Sequence, residues 1–140
     1  MSTCPCARLD ARGKPLAYAD CCGRYIAHWE DAPAPDAESL MRSRYTAFVR
    51  EDERYLLATW HASKRPSRVR FEGGGQWLGL QVRSHRMTGD ASAEVEFVAR
   101  FRAAGGKAER LHELSRFVRE QGRWYYVDGV HDPAPSAAAA

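Results

Sequence analysis

The segment Glu94–Arg102, with the sequence EVEFVARFR, decides the fold class of this chain. Every second residue in it is apolar, and the residues between are mostly charged; the apolar set is Val95, Phe97, Ala99 and Phe101. Successive side chains of a β-strand point to opposite faces of its sheet, so this alternation is typical of a strand with one buried face. We therefore predict a half-buried β-strand in this segment.

Three further segments complete a set of four predicted strands: Gln76–Met87, Leu111–Arg119 and Arg123–Val130. Short glycine-containing turns at residues 88–90, 105–107 and 121–122 connect the four. Connections of this length make neighbouring strands antiparallel, so the sequence predicts an antiparallel meander. Gly79 lies inside the first strand and would help that strand to bend.

A helical pattern precedes the strands. Asp36 is a predicted N-cap, and apolar residues then recur at spacings of three and four; they are Leu40, Met41, Tyr45, Phe48 and Val49. A second short helix through Tyr55, Leu56 and Trp60 is predicted to end before Pro66. The fold class is therefore α+β, a cone in which N-terminal helices pack on one face of a curved four-stranded antiparallel meander.

Length and composition restrict the class of protein. The chain has 140 residues, of which 44% are hydrophobic and 28% charged, so one ordered domain with a small appendage is expected. No apolar run approaches the roughly 18 residues of a membrane helix, and the N-terminus does not resemble a secretory signal, which predicts a cytoplasmic protein without a membrane partner. A net charge of +3 is mild for a nucleic-acid binder, and DNA binding is not expected.

Four cysteines lie within the first 22 residues and nowhere else: Cys4, Cys6, Cys21 and Cys22. Four thiols in a cytoplasmic protein favour metal ligands or redox groups over structural disulfides. Four cysteines are an accepted set of ligands for structural Zn²⁺, although Fe and Cu(I) would accept the same ligands. His28 could replace one cysteine, and free thiols or a reducible disulfide remain alternatives. The cations that could offset the net negative charge of a zinc–thiolate centre are Arg8, Arg12, Lys14 and Arg24.

The composition divides the chain into three parts. Residues 1–30 form the predicted cysteine-rich metal-binding segment, and residues 31–131 form the main domain. A stretch rich in proline, alanine and acidic residues, Glu30–Asp36, is predicted to link them. Residues 132–140, which end in four alanines, are predicted to be a disordered tail.

Several motifs resemble those of known families. Cys4-Pro5-Cys6 with Cys21-Cys22-Gly23 resembles the SEC-C metal-binding motif, although the spacer is longer here and Ala7-Arg8 replaces the usual Gly-Ser. The motifs that resemble the bacterial YchJ-like family are Leu40–Tyr45, Thr59–His61, Trp77–Leu80, Phe97–Phe101, Ser115–Phe117 and Trp124–Gly129. This resemblance implies an NTF2-like fold for the middle of the chain and zinc for the cysteines. The family is one of uncharacterised biochemical function.

The predicted cone has a set of candidate pocket residues: Arg44, Tyr45, Trp60, His61, Arg116, Tyr126 and Asp128. His61 could act as a general base, but capping of a helix end or bonding to a backbone carbonyl is the favoured interpretation. Asp128 could be a pocket carboxylate, a partner of turn amides, or one half of an ion pair with Arg44 or Arg116. Glu113 and Arg116 lie three residues apart and should point to opposite faces of a strand. No catalytic constellation is recognisable, so an enzyme is not the favoured class.

Three functional hypotheses follow. The favoured one is a zinc-stabilised binding or adaptor module, for which the SEC-C resemblance implies protein or ribosome-associated partners. The second is a small-molecule enzyme or ligand-binding protein that uses the pocket, with His61 or Asp128 as the base. The third is an RNA-contact protein that uses arginine and aromatic side chains. A homodimer through the sheet is also possible by analogy with other NTF2-like proteins.

Overall fold

The structure is a computed structural model that describes residues 3–71 and 74–133. Its helical elements are a 3₁₀ turn at Tyr18–Asp20 and the helices α1 (Gly23–Ile26), α2 (Ala37–Val49) and α3 (Glu53–Ala58). Its strands are β1 (Gln76–Gly89), β2 (Ser92–Arg102), β3 (Ala108–Glu120) and β4 (Arg123–His131). Most of the predicted disordered tail, residues 134–140, lies outside the described residues.

The four strands form one antiparallel sheet in the order β1-β2-β3-β4, which confirms the predicted meander. In β2 the side chains of Val95, Phe97 and Ala99 are buried, whereas Arg100 is exposed. Strands β2 and β3 begin earlier than predicted, since residues next to the turns also pair, as Ser92 does with Gly89. The inward residues of β2 and their neighbours on β3 form the concave face of the sheet.

The pairing of the edge strands is interrupted by β-bulges at three places in β1 and at one place in β4. In β1, Trp77 is opposite Phe101 and Gly79 is opposite Arg100, so Leu78 is an extra residue. In β4, Val127 is the extra residue between Tyr126 and Asp128. A bulge bends its strand and increases the local twist, so these bulges curve the sheet.

Helix α2 covers the concave face and contacts β1, β2 and β4. It begins at the predicted N-cap, where the Asp36 carboxylate accepts a hydrogen bond from the Ser39 amide at 2.7 Å. Its buried side chains include Leu40, Met41 and Tyr45, as the spacing predicts. The prediction of a helix–sheet core is therefore confirmed.

Helix α3 ends at Ala58, before Trp60, which is earlier than predicted. The Thr59 hydroxyl donates to the Tyr55 carbonyl at 2.8 Å and thus satisfies the helix end. The chain then pairs with β4: the Tyr126 amide donates to the Thr59 carbonyl at 2.8 Å, and the His61 amide donates to the Tyr126 carbonyl at 2.7 Å. Trp60 is therefore held beside the sheet and not on the helix.

The cysteine-bearing segment shares one hydrophobic core with α2 and the sheet. The predicted linker 30–36 is also anchored, because Arg123 on β4 donates to the carbonyls of Trp29 and Glu30 at 2.7 and 2.5 Å. Ala34 within it is buried. None of the helices in the described ranges has the length and apolar character needed to cross a membrane.

Candidate metal centre and cavity

The four cysteine side chains meet at one buried point. Their Sγ atoms all lie within 4.8 Å of one another, and each residue is between 0% and 5% exposed. A zinc–sulfur bond of about 2.3 Å places the sulfur atoms of a tetrahedron about 3.8 Å apart. The Cys6 and Cys21 Sγ atoms are 3.5 Å apart, so the donor set fits a tetrahedral thiophilic ion.

A short hairpin brings the first cysteine pair to the second. The Cys4 amide donates to the Leu16 carbonyl at 2.8 Å, and Leu9 pairs with Pro15. At the hairpin turn the Asp10 carboxylate accepts from two backbone amides, those of Arg12 and Lys14. The hairpin thus returns the chain to the 3₁₀ turn that precedes Cys21.

Gly23, directly after the second pair, is required by close packing. A Cβ atom at this position would lie 2.8 Å from both the ring and the carbonyl oxygen of Tyr18. The Cys-Cys-Gly part of the motif therefore has a structural reason, since only glycine lets α1 start against the 3₁₀ turn.

Four thiols this close cannot all ionise without a cation. Hydrogen bonding from Cys21 lowers the pKa of Cys6 to about 7, whereas hydrogen bonding to Cys21 raises the pKa of Cys22. A metal ion would displace the remaining protons, because thiolates are its ligands.

Two arginines bring positive charge to the cluster by donating hydrogen bonds to backbone carbonyls of its cysteines. Arg42 donates to the Cys6 carbonyl at 3.0 Å, and Arg24 donates to the Cys21 carbonyl at 3.2 Å. Of the cations proposed from sequence, only Arg24 has this role; Arg8 donates to the Ser39 hydroxyl instead. His28 is exposed and lies outside the four-cysteine group.

Thr46 on α2 is a further partner of the cluster. Its hydroxyl is 3.6 Å from the Cys4 Sγ, and the residue is fully buried. We expect Thr46→Val, which removes the hydroxyl at similar volume, to weaken metal binding by about 10- to 100-fold, as loss of a hydrogen bond to a ligand does. Thr46→Ser keeps the hydroxyl and serves as the control. Competition with a chromogenic chelator measures both; equal affinities of the valine variant and the unmodified chain would contradict this role.

A cavity of about 220 Å³ lies between α2 and the concave face of the sheet. Four of the candidate pocket residues line it: Arg44, Tyr45, Trp60 and Tyr126. Arg44 is 6% exposed, and its guanidinium lies over the rings of Trp60 and Tyr126, at 4.9 and 4.6 Å from their centres. Burial lowers the pKa of Arg44 to about 10, which leaves it charged at neutral pH.

Glu113 is the carboxylate in the cavity wall. It accepts hydrogen bonds from the Ser115 and Tyr126 hydroxyls and pairs with His131 at 3.0 Å. Gly129 makes room for it, because a Cβ there would collide with the Glu113 carboxyl group. Glu113 therefore lies on the inner face while Arg116, three residues later, lies on the outer face.

The other three candidate pocket residues do not line the cavity. Arg116 and Asp128 form a bidentate ion pair on the outer face of the sheet, with both distances at 2.6 Å, which lowers the pKa of Asp128. The bulge at Val127 is the reason, since it turns Asp128 away from the face that Tyr126 occupies. His61 lies beyond α3, where its ring contacts the Glu120 carboxylate at 2.8 Å and the Ser63 hydroxyl.

Sequence reasoning did not assign several wall residues to the pocket. They are apolar or small and come from facing positions of α2 and the sheet: Met41, Phe48, Trp77, Phe97, Ala99, Leu111, Ser115 and Phe117. The alternation along β2 and β3 could have assigned part of the wall, because alternate residues of a strand lie on the same face. On β2 these are residues 97 and 99, and on β3 they are residues 111, 113, 115 and 117. Thr46 had no comparable signal, since its role depends on how α2 meets the cysteine hairpin.

Fold and site together define a class of protein: an NTF2-like domain preceded by a SEC-C-type cysteine cluster. The family model described as "YchJ, middle NTF2-like domain" matches residues 36–129. A UPF0225 protein of Polaromonas sp. (strain JS666) is 66% identical over 126 residues, which are 90% of this chain and 91% of that protein. A UPF0225 protein of Bordetella parapertussis is 56% identical over 129 residues, 91% of this chain and 92% of that protein. The chain belongs to the YchJ (UPF0225) family.

Two solved structures are similar over most of the chain. One is the solution structure of a SEC-C motif-containing protein from Rhodopseudomonas palustris, with a TM-score of 0.76, 32% identity, and coverage of 92% of this chain and 98% of the other. The second is the crystal structure of a SEC-C motif-containing protein from Psychrobacter arcticus, with a TM-score of 0.76, 31% identity, and coverage of 97% and 86%.

Proposed function

We propose that this chain is a binding module whose N-terminal segment is held folded by one structural Zn²⁺ ion. The observation that carries the proposal is the buried convergence of Cys4, Cys6, Cys21 and Cys22. Four thiolates fill a tetrahedral coordination sphere, so no position remains for water or substrate, and such sites are structural. When bound, the ion would supply folding free energy to its segment.

The metal would hold residues 3–26 in place. This segment contains one two-stranded hairpin, a single 3₁₀ turn and a four-residue helix. Elements this short are marginal in water without a cross-link or metal ion. The cysteines are also part of the core that α2 covers, so the ion would fix the segment against the NTF2-like domain.

The hairpin is the surface that we propose for a protein or ribosome-associated partner in the cytoplasm. Leu9 is 55% exposed, one of the few large apolar side chains with that exposure in the described ranges. Arg12 and Lys14 are exposed on the same hairpin. An apolar contact flanked by cations suits a partner surface with negative charge.

Co-sedimentation with purified ribosomes tests this function. We expect the zinc-loaded chain to pellet with ribosomes, and both Leu9→Ser and chelator treatment to abolish this. Val130→Ser, which alters another exposed apolar residue, is the matched control and should bind normally. Absence of the chain from the ribosome pellet, or equal binding by Leu9→Ser, would contradict the proposed surface. Binding that Leu9→Ser leaves unchanged, but that weakens steeply as the salt concentration rises, would instead favour RNA contact.

A further inference from the structure

Arg44 is a buried cation in the cavity wall that forms no ion pair within the part of the chain that the structure describes. Among the ion pairs of residues 3–71 and 74–133, none involves its guanidinium. Glu113 is the carboxylate whose charge acts on it, but the two do not form an ion pair, and Glu113 is already bonded to its own partners. A buried charge without a counter-ion is costly, so an anion bound at Arg44 would be strongly stabilised.

The guanidinium has one edge free for such an anion. Both of its hydrogen bonds within the described residues start at Nη1, to the Leu56 carbonyl and the Thr59 hydroxyl at 2.7 Å each. The Nε and Nη2 atoms have no acceptor among these residues. Their two parallel N–H groups match the oxygens of a planar carboxylate.

The remaining walls favour an apolar ligand body. Met41, Trp77, Phe97 and Leu111 line the space around Arg44. The volume of about 220 Å³ is below the roughly 300–1,000 Å³ of sites for drug-sized ligands, so the ligand is small. Trp60, also in the wall, has a buried Nε1 proton without an acceptor in the described part of the chain, a donor that the protein leaves unused.

We propose that this cavity binds a small organic monocarboxylate, whose carboxylate pairs with the Nε–Nη2 edge of Arg44 and whose apolar body fills the space beneath α2. The Glu113 carboxylate in the same wall disfavours a second acidic group on the ligand. The site is separate from the metal centre, because no cysteine lines it.

The test uses the full metal-loaded chain and matched probes. Phenylacetate is the carboxylate, phenylacetamide is its neutral counterpart, and inorganic phosphate tests for a general anion site. Isothermal titration gives affinity, and the Trp60 indole N–H resonance reports occupancy, with Trp124, which does not line the cavity, as an internal reference. We expect saturable binding of phenylacetate, at least about tenfold tighter than the amide or phosphate. Equal binding of the amide, equal binding of phosphate, or no binding of phenylacetate would each overturn the proposal.

Two variants locate the site, and the first of them leaves Arg44 unchanged. Ala99→Leu fills the cavity from β2 and leaves the guanidinium in place, so it should abolish the binding of phenylacetate. Arg44→Lys keeps the charge but loses the planar fork and should weaken binding by about tenfold or more. Circular dichroism confirms that each variant is folded. Unchanged affinity in a folded Ala99→Leu variant would place the carboxylate elsewhere and overturn the proposal.

Discussion

Cys22→Ser is expected to remove the metal and unfold residues 3–26, while the sheet remains intact. Serine is a poor ligand for a thiophilic ion, and Cys22 is 1% exposed within the four-thiol cluster. The loss of metal affinity should exceed the roughly 10- to 100-fold that follows loss of a hydrogen bond to a ligand. Trypsin measures the unfolding, because Arg8 and Arg24 lie in this segment and are bonded in the folded state, to Ser39 and to the Cys21 carbonyl.

Cys22→His is the matched variant for this experiment. It changes the same position but restores a zinc ligand, and four-ligand sites that combine cysteine and histidine are common. We expect it to retain metal and to resist trypsin better than the serine variant. Equal protease resistance of the metal-loaded chain and Cys22→Ser at Arg8 and Arg24 would show that the segment folds without the ion.

Phe117→Ala is expected to cost about 3–5 kcal/mol of unfolding free energy, the usual range for deleting a buried phenylalanine ring. Phe117 is 1% exposed on β3 and packs edge-on against Tyr126, with the ring centres 5.8 Å apart. Its removal would enlarge the cavity that it lines, so the neighbouring side chains would lose packing contacts.

Urea unfolding of the metal-loaded chain measures this effect as a lower midpoint at unchanged slope. Val130→Ala is the control, since this β4 residue is 55% exposed and its change should stay within about 0.5 kcal/mol. A Phe117→Ala variant as stable as that control would contradict the position of Phe117 in the core.

The strand pattern predicted most of the fold because side chains on one face of a sheet recur every two residues. Val95, Phe97 and Ala99 alternate in sequence and are all buried in β2. Asp128 has the parity of Tyr126 but lies on the outer face, where it forms the ion pair with Arg116 that was one of its three predicted roles. A bulge depends on how two strands pair over their whole length, so the parity of one strand does not reveal it.

The four-cysteine cluster could be predicted as a set of residues but not as a geometry. Free thiols clustered in sequence pointed to Cys4, Cys6, Cys21 and Cys22, whereas the contacts of Thr46 and Arg42 arise only when α2 packs on the hairpin. The role proposed for Arg44 could not be predicted either, because it depends on the burial of the guanidinium and on its free edge. Both properties come from residues distant in sequence, such as Thr59 and Tyr126.

We propose that one ion bound by the four cysteines holds the N-terminal segment in place. Metal analysis of the untagged chain, combined with thiol titration before and after chelation, tests it most directly. We expect one zinc ion per chain, with the four thiols protected until the chelator removes the ion. A chain that contains no metal and has four freely reactive thiols would contradict it.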